Sequence, residues 1–438
     1  MDKKKNGFAS GIGFVLAAAG SAVGLGNLWG FPYKTHDYGG AAFVLVYIAC
    51  VLFIGVVTMV CEIFIGRRAQ ANPVTAFKKV NKKVGWFGVL AVLIPGFIAC
   101  YYSVLGGYTV RFTVNSFAGN AGTFAPFAGS IWQVILFSAL FIGTAVFIVM
   151  AGVKGGIEKA SKVLMPCLFI ILVGTVIFSL CLGEGVKEGL EFYLKPDFSK
   201  LSGTGILAAM GQAFFTLSIG VGSMAIFGSY IGKERRLAGE SVIIIALDTL
   251  IAFMAGMIIF PICFSYGVEV NAGPGLIFVS LPNIFNNMTG GRFWGALFFI
   301  FLSLAALTTV IAVVENLIAF FIDEMKLSRK AAALITGTGV AICSLPCVFG
   351  FNIWKDVQPL GGGSSILDFE DFIVSQNLLP IGSLLIVLYC ALNWNAFMEE
   401  VNTGKGMIFP EWMKNYCRYI LPLIVVVIFV WGYLKMFS

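Results

Sequence analysis

The sequence predicts an all-α membrane protein with eleven transmembrane helices, and three observations support this fold class. Of its 438 residues, 59% are hydrophobic and only 12% are charged, whereas a soluble domain carries about 25% charged residues. Apolar stretches long enough to cross a bilayer recur from one end of the chain to the other. The Lys and Arg residues cluster in alternate connecting segments, as expected for a chain that crosses a membrane repeatedly.

Each long apolar stretch is predicted to form one helix, because lipid offers no hydrogen-bond partner to an open backbone. The first stretch begins near Gly11 and is too long and too interrupted for a signal-peptide core, so we predict a retained helix. The whole chain, 1–438, is predicted to form a single membrane domain. The predicted spans, numbered 1 to 11 in chain order, are 11–36, 41–66, 86–117, 130–152, 161–183, 204–231, 239–267, 292–321, 329–349, 366–394 and 416–436.

The basic residues predict the orientation of the chain in the membrane. With the amino terminus in the cytoplasm, most of the 29 Lys and Arg residues lie in or beside inner segments. Eleven crossings then place the carboxyl terminus outside the cell. The net charge of +7 is therefore a topology signal, and we predict the lipid bilayer, not nucleic acid, as the partner. We predict the plasma membrane of a prokaryotic cell, and the oligomeric state stays open.

Two spans are interrupted near their middle. Span 1 contains GSAVGLGNLWGFP at 20–32, and span 6 contains GQAFFTLSIGVGSM at 211–224. Glycine weakens a helix, and irregular backbone at this depth is tolerated only where protein or a water-filled cavity satisfies it. Because the two spans are five apart, they cross in opposite directions. The pair therefore predicts an inverted repeat with a binding site at the bilayer midplane.

A broken helix can bind ions with its main chain alone. The amino-terminal end of the second half-helix attracts an anion such as a carboxylate. Freed carbonyls, together with Asn and Thr oxygens, suit a hard cation such as Na⁺. Glycine lets a ligand approach the backbone closely.

These motifs resemble the neurotransmitter:sodium symporter family, in its bacterial leucine-transporter-like branch. The resemblance covers nearly the whole chain and rests on GSAVGLGNLWGFPY, GQAFFTLSIGVG, GPGLIFVSLP and LAALTTVIAVVENLIAF, in that order. It implies a leucine-transporter-type fold, with inverted repeats over 1–183 and 204–394, an extra helix at 416–436, and helices 1 and 6 broken. It also implies Na⁺-coupled uptake of an amino acid or related small molecule by alternating access. Two Na⁺ ions and no organic cofactor are expected.

Carried over residue by residue, the resemblance implies two sodium sites and one substrate cavity. The first sodium site would use the Ala22 carbonyl and the side chains of Asn27, Thr216 and Asp248, completed by the substrate carboxylate. The second would use the carbonyls of Gly20, Val23 and Ala305 and the hydroxyls of Thr308 and Thr309. The substrate cavity would be lined by Ala22, Gly24, Gly26, Ile98, Tyr102, Phe215, Thr216, Ser218, Val221, Thr309 and Val313.

Several positions narrow the expected cargo and the expected ion requirement. At the place of Gly24, the family's monoamine carriers have an Asp that pairs with the substrate amine. Here the negative group should come from the substrate, which favours an amino acid with a free carboxylate. Ile98, Val221 and Val313 make the side-chain pocket apolar, so we expect a neutral, hydrophobic amino acid. At the place of Asp248, the family's chloride-dependent members resemble one another in having Asn. We therefore expect the Asp248 carboxylate to replace the chloride ion, and transport to be chloride-independent.

The resemblance also implies a gate on each side of the membrane. On the outer side, Tyr102 matches a carboxylate-contacting tyrosine and Phe215 an aromatic lid. Asp371 matches the acid of an outer ionic gate, but Gly30 replaces its usual Arg partner. Lys34, one helical turn further on, is a candidate substitute.

On the inner side, the gate would combine Lys5, Phe8, Tyr230 and Asp323. Because Lys is a poorer bidentate partner than Arg, Lys5 predicts a looser latch than the family's usual Arg. Glu62 matches a carboxyl that supports the break of span 6. We expect it to be protonated and to donate to a freed carbonyl.

Three alternatives to a sodium-coupled amino-acid symporter follow from the sequence. The cargo could instead be an osmolyte such as a betaine or a taurine-like compound. A channel-like facilitator of the same fold would need a continuous polar pore, and no span shows a periodic polar stripe. An intramembrane enzyme would need a nucleophile–base pair or a metal cluster. The only histidine, His36, is predicted at an outer helix end, so we predict that the protein is not an enzyme.

Overall fold

Long apolar helices form most of the computed structural model, which describes residues 7–80, 87–119, 124–268, 270, 275–361 and 364–436. Within these residues, nine helices are long and apolar enough to cross a membrane, and a bent helix pair makes a tenth candidate. The nine are Ala41–Ala69, Phe87–Phe117, Ile131–Met150, Val153–Leu180, Leu237–Tyr266, Gly291–Met325, Arg329–Phe349, Ile366–Leu392 and Met413–Trp431, which correspond to spans 2 to 5 and 7 to 11.

Spans 1 and 6 are both broken, as the sequence predicts. Span 1 consists of Gly11–Ala22 and Gly26–Asp37, and its two halves are bent by 54°. Span 6 consists of Gly203–Thr216 and Ser223–Gly228, separated by the non-helical residues 217–222. Each half of span 6 is too short to cross a bilayer by itself.

Span 5 begins earlier than predicted. The predicted start was residue 161, but the helix runs over Val153–Leu180 and opens with a π-helical turn, Val153–Glu158. Gly152, at φ 89°, makes the turn that separates it from span 4. The prediction failed because it placed Lys154 and Lys159 in a loop. Long basic side chains can instead extend from a helix end to water.

The broken spans lie inside the helix bundle. The first half of span 1 packs against spans 5, 7 and 8, and the second half of span 6 packs against span 2. Spans 3 and 8 pack along each other beside them. The broken segment of span 1 is consequently buried from Gly20 to Leu28, away from lipid and water. The division into repeats at 1–183 and 204–394 stays a prediction.

A short apolar segment between spans 7 and 8 packs on the outer half of span 1. It forms Leu276–Ser280 followed by Leu281–Asn287. The fully buried Phe278 ring lies 6.4 Å from the Trp29 ring and 5.2 Å from the Phe112 ring, centroid to centroid. This segment, hereafter the lid, therefore packs directly on spans 1 and 3.

Candidate functional site

The break in span 1 exposes main-chain groups beside a buried amide. Val23 has an extended backbone, with ψ at 105°, although its N–H still donates to the Ala19 carbonyl at 2.8 Å. The Asn27 side-chain oxygen accepts from the Gly24 N–H at 3.1 Å. Asn27 therefore satisfies one of the donors that the break releases.

The break in span 6 depends on left-handed backbone. Gly220 and Gly222 have φ values of 85° and 88°, which glycine adopts at little cost. Ser218 has a φ of 49°, which is uncommon for a residue with a side chain. Its hydroxyl donates to the Ser21 carbonyl at 3.2 Å, so the strained residue joins one break to the other. Backbone strain of this kind often accompanies a functional site.

Glu62 of span 2 supports the break in span 6, but not in the predicted way. Its two carboxyl oxygens accept from the N–H groups of Gly220, Gly222 and Met224 at 2.7, 2.8 and 3.1 Å. The expected donation from a protonated Glu62 to a freed carbonyl is therefore wrong. The backbone direction explains the difference, because the half-helix that begins at Ser223 presents N–H groups, not carbonyls, to span 2.

Asn316 is a further support of the same break, and the sequence analysis missed it. Its side-chain amide donates to the Ala91 carbonyl at 3.2 Å and to the Val221 carbonyl at 3.5 Å. The signal was present in the sequence, because an Asn in the middle of an apolar span is costly and usually functional. Its partners are far away in sequence, so only the fold identifies them.

The first predicted sodium set brings three polar side chains into the core. The Asn27 amide donates to the Asp248 carboxylate oxygen Oδ1 at 2.8 Å. The Thr216 hydroxyl contacts the Tyr47 hydroxyl at 3.0 Å. The other carboxylate oxygen of Asp248, Oδ2, is buried and has no hydrogen-bond partner in the described part of the chain. Ala22 is the last residue of the first half-helix.

An unpartnered carboxylate oxygen in a dry interior is expensive. A bound cation removes that cost, and a carboxylate with amide, hydroxyl and carbonyl oxygens is the donor set that a hard cation prefers. The residues present therefore fit a hard cation such as Na⁺.

The second predicted sodium set also converges in space. The Thr309 hydroxyl lies 3.2 Å from the Val23 carbonyl oxygen and 3.3 Å from the Ala305 carbonyl oxygen. The Thr308 hydroxyl donates to the Ala305 carbonyl at 2.9 Å. Gly20 packs against Thr308 so closely that an added Cβ would lie 3.2 Å from the Thr308 Cβ. Span 1 and span 8 thus present a second group of hydroxyl and carbonyl oxygens.

The predicted substrate residues around the break of span 1 face one another. An added Cβ on Gly24 would lie 3.2 Å from the Tyr102 hydroxyl and 2.9 Å from the Thr309 hydroxyl. The Phe215 ring occupies the space next to Gly26, where an added Cβ would collide with it. Span 1 can therefore carry no side chain at these two positions in this conformation.

The remaining predicted cavity residues lie in the bundle interior. Ile98, Val221 and Val313 are buried, with exposed fractions of 5%, 1% and 2%. Burial is compatible with a place in the side-chain pocket, which stays a prediction.

The outer gate residues make contacts other than the expected ion pair. The Lys34 ammonium donates to the Gln212 side-chain oxygen at 2.7 Å. Asp371 accepts from the Ser375 hydroxyl at 2.8 Å and from the Tyr101 hydroxyl at 3.4 Å. In the described residues of this conformation, Lys34 therefore does not substitute for the missing Arg by a direct pair with Asp371.

The inner gate residues form an aromatic contact at the start of the chain. Phe8 donates its N–H to the Tyr230 carbonyl at 3.2 Å, and the two rings meet edge to face at 6.4 Å. Asp323 accepts from the Asn72 N–H at 2.8 Å. Lys5, the predicted basic member, lies outside the described residues.

A buried ion pair stabilises the same inner region, and the sequence assigned it no role. Glu315 of span 8 accepts from the Tyr230 hydroxyl at 2.7 Å and pairs with Arg329 at the start of span 9. Arg329 also donates to the Val149 carbonyl at 2.9 Å, at the end of span 4. The cluster thus ties the inner end of span 6 to three neighbouring spans.

Comparison with known proteins gives matches along the whole chain. The model of the sodium:neurotransmitter symporter family matches residues 5–123 and 127–438. An uncharacterised sodium-dependent transporter of Haemophilus influenzae is 34% identical over 456 residues, with 98% of each chain covered. A second one, of Bacillus subtilis, is 33% identical, also with 98% of each chain covered. The crystal structure of MhsT in complex with L-phenylalanine is 37% identical, with a TM-score of 0.89 and coverage of 97% of this chain and 99% of that chain.

Proposed function

The chain belongs to the sodium:neurotransmitter symporter family and is a sodium-dependent symporter of that family, and on this premise we propose that it imports a neutral, hydrophobic amino acid by alternating access, without chloride. The close match to MhsT confirms the predicted all-α transporter fold of the leucine-transporter type. The observation that carries the proposal is the meeting of two broken spans around buried oxygen atoms.

Coupling between ion and cargo is supported by the position of the first cation set. Asn27 directly follows Gly26 and contacts Asp248, so this set borders the predicted substrate cavity. A carboxylate of the cargo placed at the break would lie beside the cation. Each would then raise the affinity of the other, as reciprocity of binding requires. We propose two Na⁺ ions, one at each oxygen set.

The class of cargo is supported by Gly24 and the apolar wall. Gly24 lies against Tyr102 and Thr309 and offers no carboxylate to pair with an amine-only substrate. Ile98, Val221 and Val313 supply hydrocarbon for the cargo side chain. MhsT, which has L-phenylalanine in its solved complex, is consistent with such a cargo.

The gates support alternating access. On the outer side, the lid packs on Trp29 and the Phe215 ring contacts Gly26. On the inner side, Phe8 contacts Tyr230, and the Tyr230 hydroxyl donates to Glu315, which pairs with Arg329. We propose that these two groups of contacts open in turn, with the amino terminus cytoplasmic and the carboxyl terminus outside a bacterial cell.

Thermal unfolding of the purified transporter tests the cargo and the coupling together. We expect stabilisation by hydrophobic amino acids in Na⁺ and none in K⁺, because cargo and ion share the site. A ligand at 100 times its Kd adds about 2.7 kcal/mol of unfolding free energy. All twenty amino acids, betaine and taurine are compared. Stabilisation by betaine or taurine, and by none of the amino acids, would favour an osmolyte as the cargo. In proteoliposomes, an internal cargo concentration that never exceeds the external one would favour a facilitator.

Replacing chloride by gluconate is expected to leave Na⁺-driven uptake in proteoliposomes unchanged. The Asp248 carboxylate already supplies a buried negative charge beside the first cation set, so no anion from solution is needed. Replacing Na⁺ by choline in the same assay is the control and should abolish uptake. Loss of uptake in gluconate would contradict the proposed chloride independence.

A further inference from the structure

Lys34 and Gln212 form a short chain of hydrogen bonds that ends at the break of span 1. The Lys34 ammonium donates to the Gln212 oxygen Oε1 at 2.7 Å, and the Gln212 amide Nε2 donates to the Gly26 carbonyl at 2.8 Å. Gln212 is fully buried. The Gly26 carbonyl also accepts the N–H of Phe31 across the π-helical turn Gly26–Gly30. Gln212 therefore connects the Lys34 ammonium to the first helical turn that follows the break of span 1.

The geometry of span 1 is arranged around this glutamine. Gly26, Gly30 and Lys34 are four residues apart in turn, so they share one face of the half-helix. An added Cβ on Gly30 would lie 3.4 Å from both Gln212 amide atoms. A methyl group fits there, but a longer side chain would occupy the volume of the amide. The missing side chain at Gly30 thus leaves the room that the Lys34 to Gly26 connection needs.

The same glutamine contacts the first cation set through its main chain. The Thr216 hydroxyl donates to the Gln212 carbonyl at 2.9 Å. Gly26 directly precedes Asn27, which contacts Asp248. Gln212 is therefore in contact with both broken spans at the level of the proposed ion and cargo site.

The charge on Lys34 strengthens the connection. An ammonium that donates to an amide oxygen polarises the amide, so its N–H becomes a better donor. In a buried network this polarisation strengthens the hydrogen bond from the Gln212 amide to the Gly26 carbonyl. Asp371 forms no direct ion pair with Lys34 among the described contacts, and its hydrogen bonds there are with Ser375 and Tyr101.

We propose that Lys34 is a positioning residue that acts through Gln212 on the Gly26 carbonyl and holds the break of span 1 in its ion-binding geometry. This inference rests on the proposed function and deepens it, since it names the residues outside the oxygen sets that regulate their affinity. A direct electrostatic role has the opposite sign. A nearby positive charge repels Na⁺, so a purely Coulombic Lys34 would weaken Na⁺ binding.

Na⁺ titration of thermal stability in the absence of amino acid tests the proposal. Lys34→Met and Gln212→Met are each expected to raise the half-saturating Na⁺ concentration about tenfold, near the lower end of the effect of a lost hydrogen bond to a charged group. The double variant should be no worse than either single variant, because both break one chain. Lys34→Arg should retain most of the affinity. Lys195→Met removes an exposed outer-side charge and should leave the Na⁺ affinity unchanged.

Two further variants keep the test decisive. Gly30→Leu retains Lys34 and Gln212 but fills the space of the amide, so it should also raise the half-saturating Na⁺ concentration. Asp371→Asn should have little effect, and if it reproduces Lys34→Met, then Lys34 acts through Asp371 and the proposal is wrong. A lower half-saturating concentration in Lys34→Met would show a Coulombic role and would also overturn it.

The readouts separate failure of this inference from failure of the proposed function. A wild-type protein that Na⁺ does not stabilise over K⁺ overturns both. Normal Na⁺ stabilisation of the wild type, with unchanged half-saturation in Lys34→Met and Gln212→Met, overturns the inference alone. If these variants melt at a lower temperature in K⁺ but keep the wild-type half-saturating Na⁺ concentration, the two residues have a merely structural role, and the inference alone is overturned. A titration with L-phenylalanine at saturating Na⁺ should show the same order of variants.

Discussion

Replacing Asp248 by Asn is expected to reduce Na⁺-driven uptake about 100-fold, which corresponds to about 3 kcal/mol for a buried charge pair that loses one partner. The substitution is nearly isosteric and retains the contact with Asn27, so the change acts mainly on charge. Asp248 Oδ2 is buried without a described partner, and it is the atom best placed to face the cation. With a neutral amide there, the cation would enter the site uncompensated.

The measurement is uptake in proteoliposomes over a range of Na⁺ concentrations, in chloride and in gluconate. We expect the half-saturating Na⁺ concentration to rise in Asp248→Asn, and the residual uptake to become higher in chloride than in gluconate. An external anion could then supply the charge that the carboxylate normally supplies. Asp356→Asn, which removes an exposed acid, is the matched control. An unchanged Na⁺ requirement in Asp248→Asn would show that cation binding does not need the negative charge of this residue.

Replacing Glu62 by Leu is expected to abolish uptake and to lower the thermal unfolding midpoint by the largest amount of any variant considered. The Glu62 oxygens accept from three buried N–H groups of the span 6 break. Each buried donor left without a partner costs about 1–3 kcal/mol. The sum is comparable to the whole folding free energy of a typical domain, about 5–15 kcal/mol.

A graded series distinguishes this support role from a loss of packing. Glu62→Gln retains one side-chain oxygen as an acceptor, so it should be less destabilised than Glu62→Leu. The new amide NH₂ would face N–H donors, so the thermal stability of Glu62→Gln should still be lower than that of the wild type. Glu188→Gln, at an exposed position of the helix Val186–Leu194, controls for the removal of a carboxylate. Wild-type stability and uptake in Glu62→Leu would show that the break does not need this acceptor.

The glycines of spans 1 and 6 predict the two helix breaks from local information alone. Gly24 and Gly26 in span 1, and Gly220 and Gly222 in span 6, lower helix propensity at positions that lipid would otherwise demand to be helical. The structure places a break at both, and Gly220 and Gly222 adopt the left-handed backbone that explains their residue type. The positions of most spans followed in the same way from hydropathy.

Side-chain direction was harder to predict. The sequence placed Glu62 in span 2 but did not identify the groups that its side chain contacts. Glu62 was expected to donate to a carbonyl, whereas it accepts from three N–H groups. Asn316 and the pair of Glu315 with Arg329 were visible as polar residues near apolar segments, yet their partners were not. In each case the contact joins residues of different spans, and the relative rotation of two helices is set by packing of the whole bundle.

The sequence by itself determined the membrane fold class and the two places where helices cannot continue. These properties depend on composition and on the conformational limits of single residues, which act locally. Only the tertiary structure decided that Thr309 meets the carbonyls of span 1 and that one Asp248 oxygen has no hydrogen-bond partner among the described residues. It also decided that Lys34 contacts Gln212, which contacts Gly26, where the sequence suggested a pair with Asp371. Such choices depend on distances between segments far apart in the chain, and packing decides among several partners of similar chemistry.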